Sequence, residues 1–357
     1  MSFSHSKALR FLPLFFVFIL FSCGSNTGTD PHLSQEEVIE ITEINLVGKW
    51  KIRRPSSSSK HSEQAKQFYA DCTINEIEFF EDGSYLFHVS TAEAQKIYRG
   101  NYGIDYIEEN DEYTIQRIVL MESTFEAGSA IPTQGSIATL TEIDLSSTNI
   151  AFNAALGSET SAFCSTGTPI ELSGEKAEEI APEADENSNH FKITKEWRLF
   201  EVSAEIEGQT DPDGTSQNIC NFLEQEREDR CSENEGESST DDCLYASTLT
   251  LIMSEYGTYL FTYYDAEGNP LTEELGDWRW RTDSEQAYTV FEVKGQDETY
   301  AESDTSISVS SLTESTMSLR ETLEDTDEEG NTFTIHVDYR FQLASLAFQN
   351  LNCSDAN

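Results

Sequence analysis

The sequence predicts an all-β protein in which two related antiparallel domains follow one another behind an N-terminal signal. Three observations predict it. Apolar and polar residues alternate with period two over long stretches, the pattern of strands that bury one face. Five short phrases occur twice, in the same order. The longest apolar run stands at the start of the chain, apart from both copies.

The start of the chain comes first. Lys7 and Arg10 make it positive, and residues 11–21 form an uninterrupted apolar run of eleven. A membrane-spanning helix needs about twenty residues, so residues 1–22 read as a removable signal peptide. The run ends in Leu20-Phe21-Ser22-Cys23, with an aliphatic residue three before the cysteine and a small one directly before it. This resembles the lipobox of bacterial lipoprotein precursors. The resemblance implies cleavage before Cys23, acylation of its thiol and new amino terminus, and a membrane held through that anchor. Each buried CH₂ contributes about 0.8 kcal/mol, so several acyl chains suffice. Residues 23–45 are then expected to be a lipidated flexible tether, small and polar over Gly24 to Asp30 and acidic over Glu36 to Glu43. No later stretch is apolar enough to span a membrane as a helix. Gly24, with no acidic run beside it, gives no sorting signal. The periplasmic face of the outer membrane is the first expectation and the cell surface the second.

The duplication organises the rest. Leu46-Val47-Gly48-Lys49-Trp50-Lys51-Ile52 has its twin in Ile193-Thr194-Lys195-Glu196-Trp197-Arg198-Leu199. The phrase from Ile77 to Phe87 matches that from Leu251 to Phe261, each with a glycine, Gly83 or Gly257, at the turn between apolar alternations. Gly100-Asn101-Tyr102 matches Gly276-Asp277-Trp278, and Tyr113-Thr114-Ile115 matches Tyr288-Thr289-Val290. Leu145 to Phe152 matches Leu312 to Leu319. The last strand of the second copy is explicit: Phe333, Ile335, Val337, Tyr339, Phe341 and Leu343 alternate with polar residues. No stretch longer than a turn or two shows helical periodicity, although 220–229 could make a short helix. The copies occupy 46–164 and 191–353, joined by a linker at 165–190 rich in Pro, Gly and acids. An acidic insertion at about 207–242 interrupts the second.

Composition narrows the function classes. Asp and Glu number 66 against 22 Lys and Arg, a net charge of −44. Loss of Lys7 and Arg10 with the signal takes the mature chain to −46. Such a field repels nucleic acid and favours cations or cationic partners. Its plainer reading is a solvated surface. Besides Cys23 there are six cysteines, Cys72, Cys164, Cys220, Cys231, Cys243 and Cys353, an even number that reads as disulfides in an exported protein. Spacing leaves fifteen pairings open. The repeat makes Cys72–Cys164 and Cys243–Cys353 equivalent, leaving Cys220–Cys231 inside the insertion. Closing loops so long could contribute about 4–5 kcal/mol each by the chain-entropy argument.

The Gly48-x-Trp50 opening, the phrase Phe79 to Tyr85 and the later Gly-x-Tyr/Trp phrase resemble the lipocalin-like domains of envelope lipoproteins in Bacteroidetes and their neighbours. The resemblance covers both copies, although Lys195 stands where Gly48 stands. It implies two antiparallel β-barrels of about eight strands, each with its Trp near the floor. It also implies a binding barrel, hollow or filled by its own side chains.

Catalysis finds no support. Of six histidines only His88 and His336 fall on expected strands, one in each copy. No H-E-x-x-H, G-x-S-x-G or phosphate-cradling glycine loop occurs. The expectation is therefore a protein that is not an enzyme and takes no cofactor, with a small-ligand-binding or structural role. A protein-interaction module and a calcium-responsive surface protein are the alternatives. For calcium, Asp211 and Asp213 open the insertion. Asp325 and Asp327 match two ligand positions of an EF-hand-type loop, but His336 stands where its closing Glu belongs. An acidic hairpin turn at Glu329-Gly330-Asn331 is the preferred reading. Tyr259, Phe261 and Tyr263 alternate on one face, and Trp278 and Trp280 on another. Tyr259, Phe261, Trp278 and Trp280 could line a pocket for an apolar or carbohydrate ligand, or simply fill the core. An envelope protein is the other expected partner.

Overall fold

A computed structural model describes residues 34–53, 72–122 (without 93, 110 and 111), 135–164, 169–207 (without 186), 216–218, 220 and 222–224. It also describes 246–344, without 266–269, 282–287, 297, 304, 327–329 and 331. The alternating segments close into two eight-stranded antiparallel barrels in tandem. The first follows helix α1 (Gln35–Leu46). Its strands are β1 (Gly48–Arg53), β2 (Thr73–Phe79), β3 (Ser84–Ser90), β4 (Gln95–Glu109), β5 (Glu112–Met121), β6 (Ser136–Leu145), β7 (Asn149–Leu156) and β8 (Ile170–Lys176), with α2 (Ser158–Cys164) before the last. β8 closes the barrel onto β1, Trp50 standing opposite Lys176.

The second barrel follows α3 (Asn189–Ile193). It runs β9 (Glu196–Ile206), β10 (Ser216–Asn218), β11 (Thr248–Met253), β12 (Thr258–Tyr264), β13 (Pro270–Trp280), β14 (Val290–Gly295), α4 (Tyr300–Ser303), β15 (Thr305–Leu312), β16 (Thr316–Thr326) and β17 (Thr332–Leu343). β17 returns to β9, with Tyr339 opposite Val202. β10, supplied by the insertion, adds a short extra strand on β9. No helix among the described residues is long and apolar enough to cross a membrane.

The duplication extends to individual hydrogen bonds. Trp50 and Trp197 are both fully buried, and each indole N–H donates to the carbonyl four residues earlier, Leu46 or Ile193, at 2.8 Å. The helix end thus plugs each barrel and its Trp locks the plug. Gly83 and Gly257 turn at φ +83° and +81°, and their carbonyls accept from the N–H groups of Tyr102 and Trp278. Ser146 N–H donates to Asn149, and its counterpart Thr313 to Thr316. One pairing shifts: Leu120 faces Tyr102 and Val293 faces Trp278, so Tyr288 corresponds to Ile115, two residues beyond Tyr113. A two-residue slip keeps the same side chains inward, which is why pattern alone did not expose it.

Three boundaries move. The expected tether ends in α1, twelve residues long, started by a capping box between Ser34 and Glu37. The expected linker contains β8, so the first barrel runs to Lys176, beyond Cys164. The tail of the linker forms α3. Cys72–Cys164 is a disulfide, tying the entry of β2 to the end of α2. Cys220 is also disulfide-bonded. Cys23, Cys231, Cys243 and Cys353 lie outside the described residues, and with them the other two expected pairings. Residues 220 and 222–224 are helical, within the short helix expected there.

Candidate functional site

Each barrel buries its inward residues in its own core. A third apolar cluster lies between the barrels. It joins Leu86 of β3 to Leu260 of β12 and Leu275 of β13, with Phe80, Ile97 and Ile252 around them. Leu86 and Leu260 hold equivalent positions, three residues after the turn glycine. The outward faces of equivalent strands therefore meet, and the seam has approximate two-fold character.

Charge follows the same relation. Lys49 of β1 is only 1% exposed; its ammonium donates to Asp277 Oδ1 of β13 at 2.8 Å and pairs with Glu76 at 3.2 Å. Lys294 donates to Asp277 Oδ2 at 2.8 Å. Glu196, the twin of Lys49, reaches back to Arg99 of β4 at 3.7 Å. Burial works against the charged form of Lys49, but Glu76, Asp277 and Glu78 outweigh it and raise its pKa. Burial likewise pushes Asp277 up, yet Lys49 and Lys294 hold it below its ordinary value. Glu78, on the same face of β2 as Glu76, is 1% exposed. Burial pushes its carboxyl up; Lys49 and the nearby hydroxyls of Ser254 and Thr258 pull the other way. Gly48 serves the closeness of the barrels. At φ +134° a Cβ there would meet the Lys176 side chain and, at 3.0 Å, the Tyr256 ring of the second barrel.

Open clefts flank the seam. One, of about 270 Å³, is lined by Glu78, Phe80, Glu81, Glu196, Glu255 and Tyr256 among others. A second, of about 600 Å³, holds Arg99, Asn101, Arg198 and Tyr264. A third, of about 560 Å³, shares Arg99 and Tyr264 with it and adds Lys96 and Glu273. The Arg99 guanidinium stacks 5.1 Å from the Tyr264 ring centre.

The residues singled out from sequence lie elsewhere. Tyr259, Phe261, Trp278 and Trp280 all belong to the core of the second barrel, so the two aromatic stripes face one interior. Trp278 and Trp280 are 1% and 4% exposed and pack edge to face at 5.3 Å, both against Phe291. The Trp280 N–H donates to His190 Nδ1 at 3.1 Å, and Trp278 donates to the Ser254 carbonyl. Tyr259 donates to Glu274. Asp325 lies on β16 opposite Phe333, and Gly330 turns at φ +85° in the β16–β17 hairpin. Asp211, Asp213 and Asp327 lie outside the described residues. Among the described residues no three His, Cys, Asp or Glu side chains gather closely enough to hold a metal ion. His88 is buried against Asn75 and Gln95, and His336 contacts Thr322 on the other barrel's surface. Sequence reasoning missed Lys49, Glu76, Glu78 and Asp277. Their only signal was alternation with core residues, which looks the same on a solvated strand face.

No protein-family model matches the sequence, and no curated protein matches it. Among solved structures the chain is similar to bovine odorant-binding protein in complex with a selenium-containing odorant. The identity is 13%, over 46% of this chain and 77% of that one, with a TM-score of 0.21. It is also similar to a mutant of the vaccine antigen transferrin-binding protein B from Haemophilus parasuis. There the identity is 8%, over 83% of this chain and 58% of that one, with a TM-score of 0.19. Likeness at that level carries no argument about function, and the fold rests on the two barrels themselves.

Proposed function

We propose that this chain is a lipid-anchored envelope protein with a non-enzymatic binding role, carried by the seam between its paired barrels. The observation behind this reading is the seam itself. Buried ion pairs and an apolar cluster hold two barrels face to face, and clefts of ligand size open along their junction. Such pairs contribute little net stability compared with apolar packing of the same volume, so their presence fits a surface kept polar for recognition. The interiors serve a different end: the indoles of the second barrel are packed against one another, leaving the junction as the better place for a ligand. The lipobox at Cys23 supplies the anchor and the outer membrane the location, periplasmic face first.

Two measurements test this reading. Full-length protein should partition with membranes and carry acyl mass on Cys23, while Cys23→Ser should be released; retention of the variant on membranes removes the anchor. Native mass spectrometry of detergent-solubilised full-length protein should show a co-purified small molecule. Its loss on filling the 600 Å³ cleft with Thr250→Trp would place it at the seam. A ligand retained by that variant removes only the 600 Å³ cleft and leaves the 270 Å³ cleft beside it, whereas no adduct from any preparation counts against the seam as binding site.

A further inference from the structure

An acidic rim means little on a chain this acidic. The 270 Å³ cleft differs from the rest of the surface because of Glu78. This side chain lines the cleft and is 1% exposed, and among the described residues neither carboxylate oxygen has a hydrogen-bond partner. Ser254 and Thr258 lie beside it, and their hydroxyls favour its charged form; the Ser254 oxygen also accepts from the Thr258 N–H at 3.0 Å. Buried polar atoms are nearly always partnered. Leaving one unpaired costs about 1–3 kcal/mol, and more for a charge.

The local charge is also unbalanced. Lys49 and Lys294 are the ammonium groups of the buried cluster, and Glu76, Glu78 and Asp277 are its carboxylates. Counted as ionised, these groups leave one carboxylate without a counter-ion among the described residues. The cation at the cleft mouth does not supply it, because Lys195 is bonded to Glu314 at 2.8 Å. Glu81 and Glu255 add further negative charge to the walls, and Phe80 and Tyr256 add aromatic surface.

We propose that this cleft binds a small organic cation, an alkylammonium or guanidinium group, with Glu78 as its buried counter-ion and Phe80 and Tyr256 beside it. This rests on the binding role proposed above and names its ligand class. A volume near 270 Å³ suits a compact head group, being just below the usual range for drug-sized ligands. Aromatic faces attract such groups, most strongly where water is excluded. A metal ion fits less well. Hard divalent cations need six or more oxygen ligands, whereas these carboxylates are spread around the cleft walls.

The test is isothermal titration of full-length protein in detergent micelles with spermidine, L-arginine methyl ester and tetramethylammonium. Glucose and acetate serve as neutral and anionic controls. At least one cation should give saturable heat and the controls none. Glu78→Gln, which keeps the shape, should weaken binding at least tenfold without lowering the thermal midpoint by more than a few degrees. If Glu78→Gln does not fold, Glu81→Gln and Glu255→Gln at the rim should each weaken binding two- to fivefold. Silence with all three cations at millimolar concentration overturns the proposal. So does unchanged affinity in Glu78→Gln, or in both rim variants. Heat from a basic peptide but from none of the small cations would also overturn it, by making the partner a protein. A neutral or anionic adduct in the native mass spectrum, with the cation titrations silent, would remove this site and leave the binding role standing.

Discussion

Trp50 and Trp197 were legible as a pair because everything that fixes them is local: the acceptor carbonyl lies four residues away in both copies. Gly83 and Gly257 were legible for the same reason, since a tight turn needs a positive φ wherever it occurs. His190 was not legible. It stands in a stretch of linker composition, and its partner Trp280 lies 90 residues further on. Only folding puts its ring beside Trp278, Trp280 and Tyr288. Burial there lowers its pKa from 6.5 to about 4. In the unfolded chain the imidazole recovers its ordinary value. Between those two values the unfolded state holds a proton that the folded state refuses, so stability falls as pH drops from about 6.5 to about 4. For one group shifted this far the full loss is on the order of 3 kcal/mol. His190→Gln keeps an acceptor for the Trp280 N–H and removes the titration. Urea midpoints at pH 7 and pH 4.5 should therefore lie closer together in the variant than in the parent. Equal differences would show that His190 does not carry this part of the pH dependence.

At the scale of elements, strands were easier to read than helices. The alternation of β17 is unmistakable because six apolar residues recur at every second position, four of which, Val337, Tyr339, Phe341 and Leu343, pack into the core. β8, its counterpart, has only Ile170, Leu172 and Gly174 inward, and its Gly/Pro neighbourhood reads as a linker. α1 shows why periodicity failed. Thr42 and Leu46 are its buried residues, whereas Ile41 and Ile44 are exposed, so the buried and apolar faces do not coincide. The readable sign was Ser34 three residues before Glu37, and the structure forms both bonds of that capping box. Ser34→Ala removes one of them and should destabilise the helix by about 0.5–2 kcal/mol. Because α1 is buried at Thr42 and Leu46, away from its first turn, the effect should stay local. Hydrogen exchange should accelerate over the first turns of α1, while the amides of β2 and β3 keep their protection. Unchanged exchange in α1 would mean that Leu46 and the Trp50 bond alone hold the helix in place.

At the scale of the molecule, the sequence carried the two barrels but not their arrangement. A strand face reads as polar whether water or a second barrel covers it, and Lys49, Glu76, Glu78 and Asp277 read as solvated for that reason. The seam makes a claim about energetics that can be measured. Leu260 is fully buried among Leu86, Leu275 and Ile252, outside either barrel's own core. Placing a carboxylate there leaves an unpaired charge in an apolar contact, a cost of several kcal/mol. Leu260→Asp should thus weaken the docking of the barrels without emptying either interior. Lys49→Met works through the same seam by a different route. It leaves Glu76, Glu78 and Asp277 facing Lys294 alone, and breaking a buried pair in this way typically costs about 3–5 kcal/mol. If the seam couples the barrels, the parent melts in one calorimetric transition and both variants melt in two. The lower-melting barrel then unfolds while the other stays closed. Leu323→Asp, on the exposed surface of β16, should leave the single transition intact. A parent that already melts in two steps, with neither midpoint moved by Leu260→Asp or Lys49→Met, would show that the barrels touch without stabilising one another. A binding site built from both would then have to be organised by its ligand.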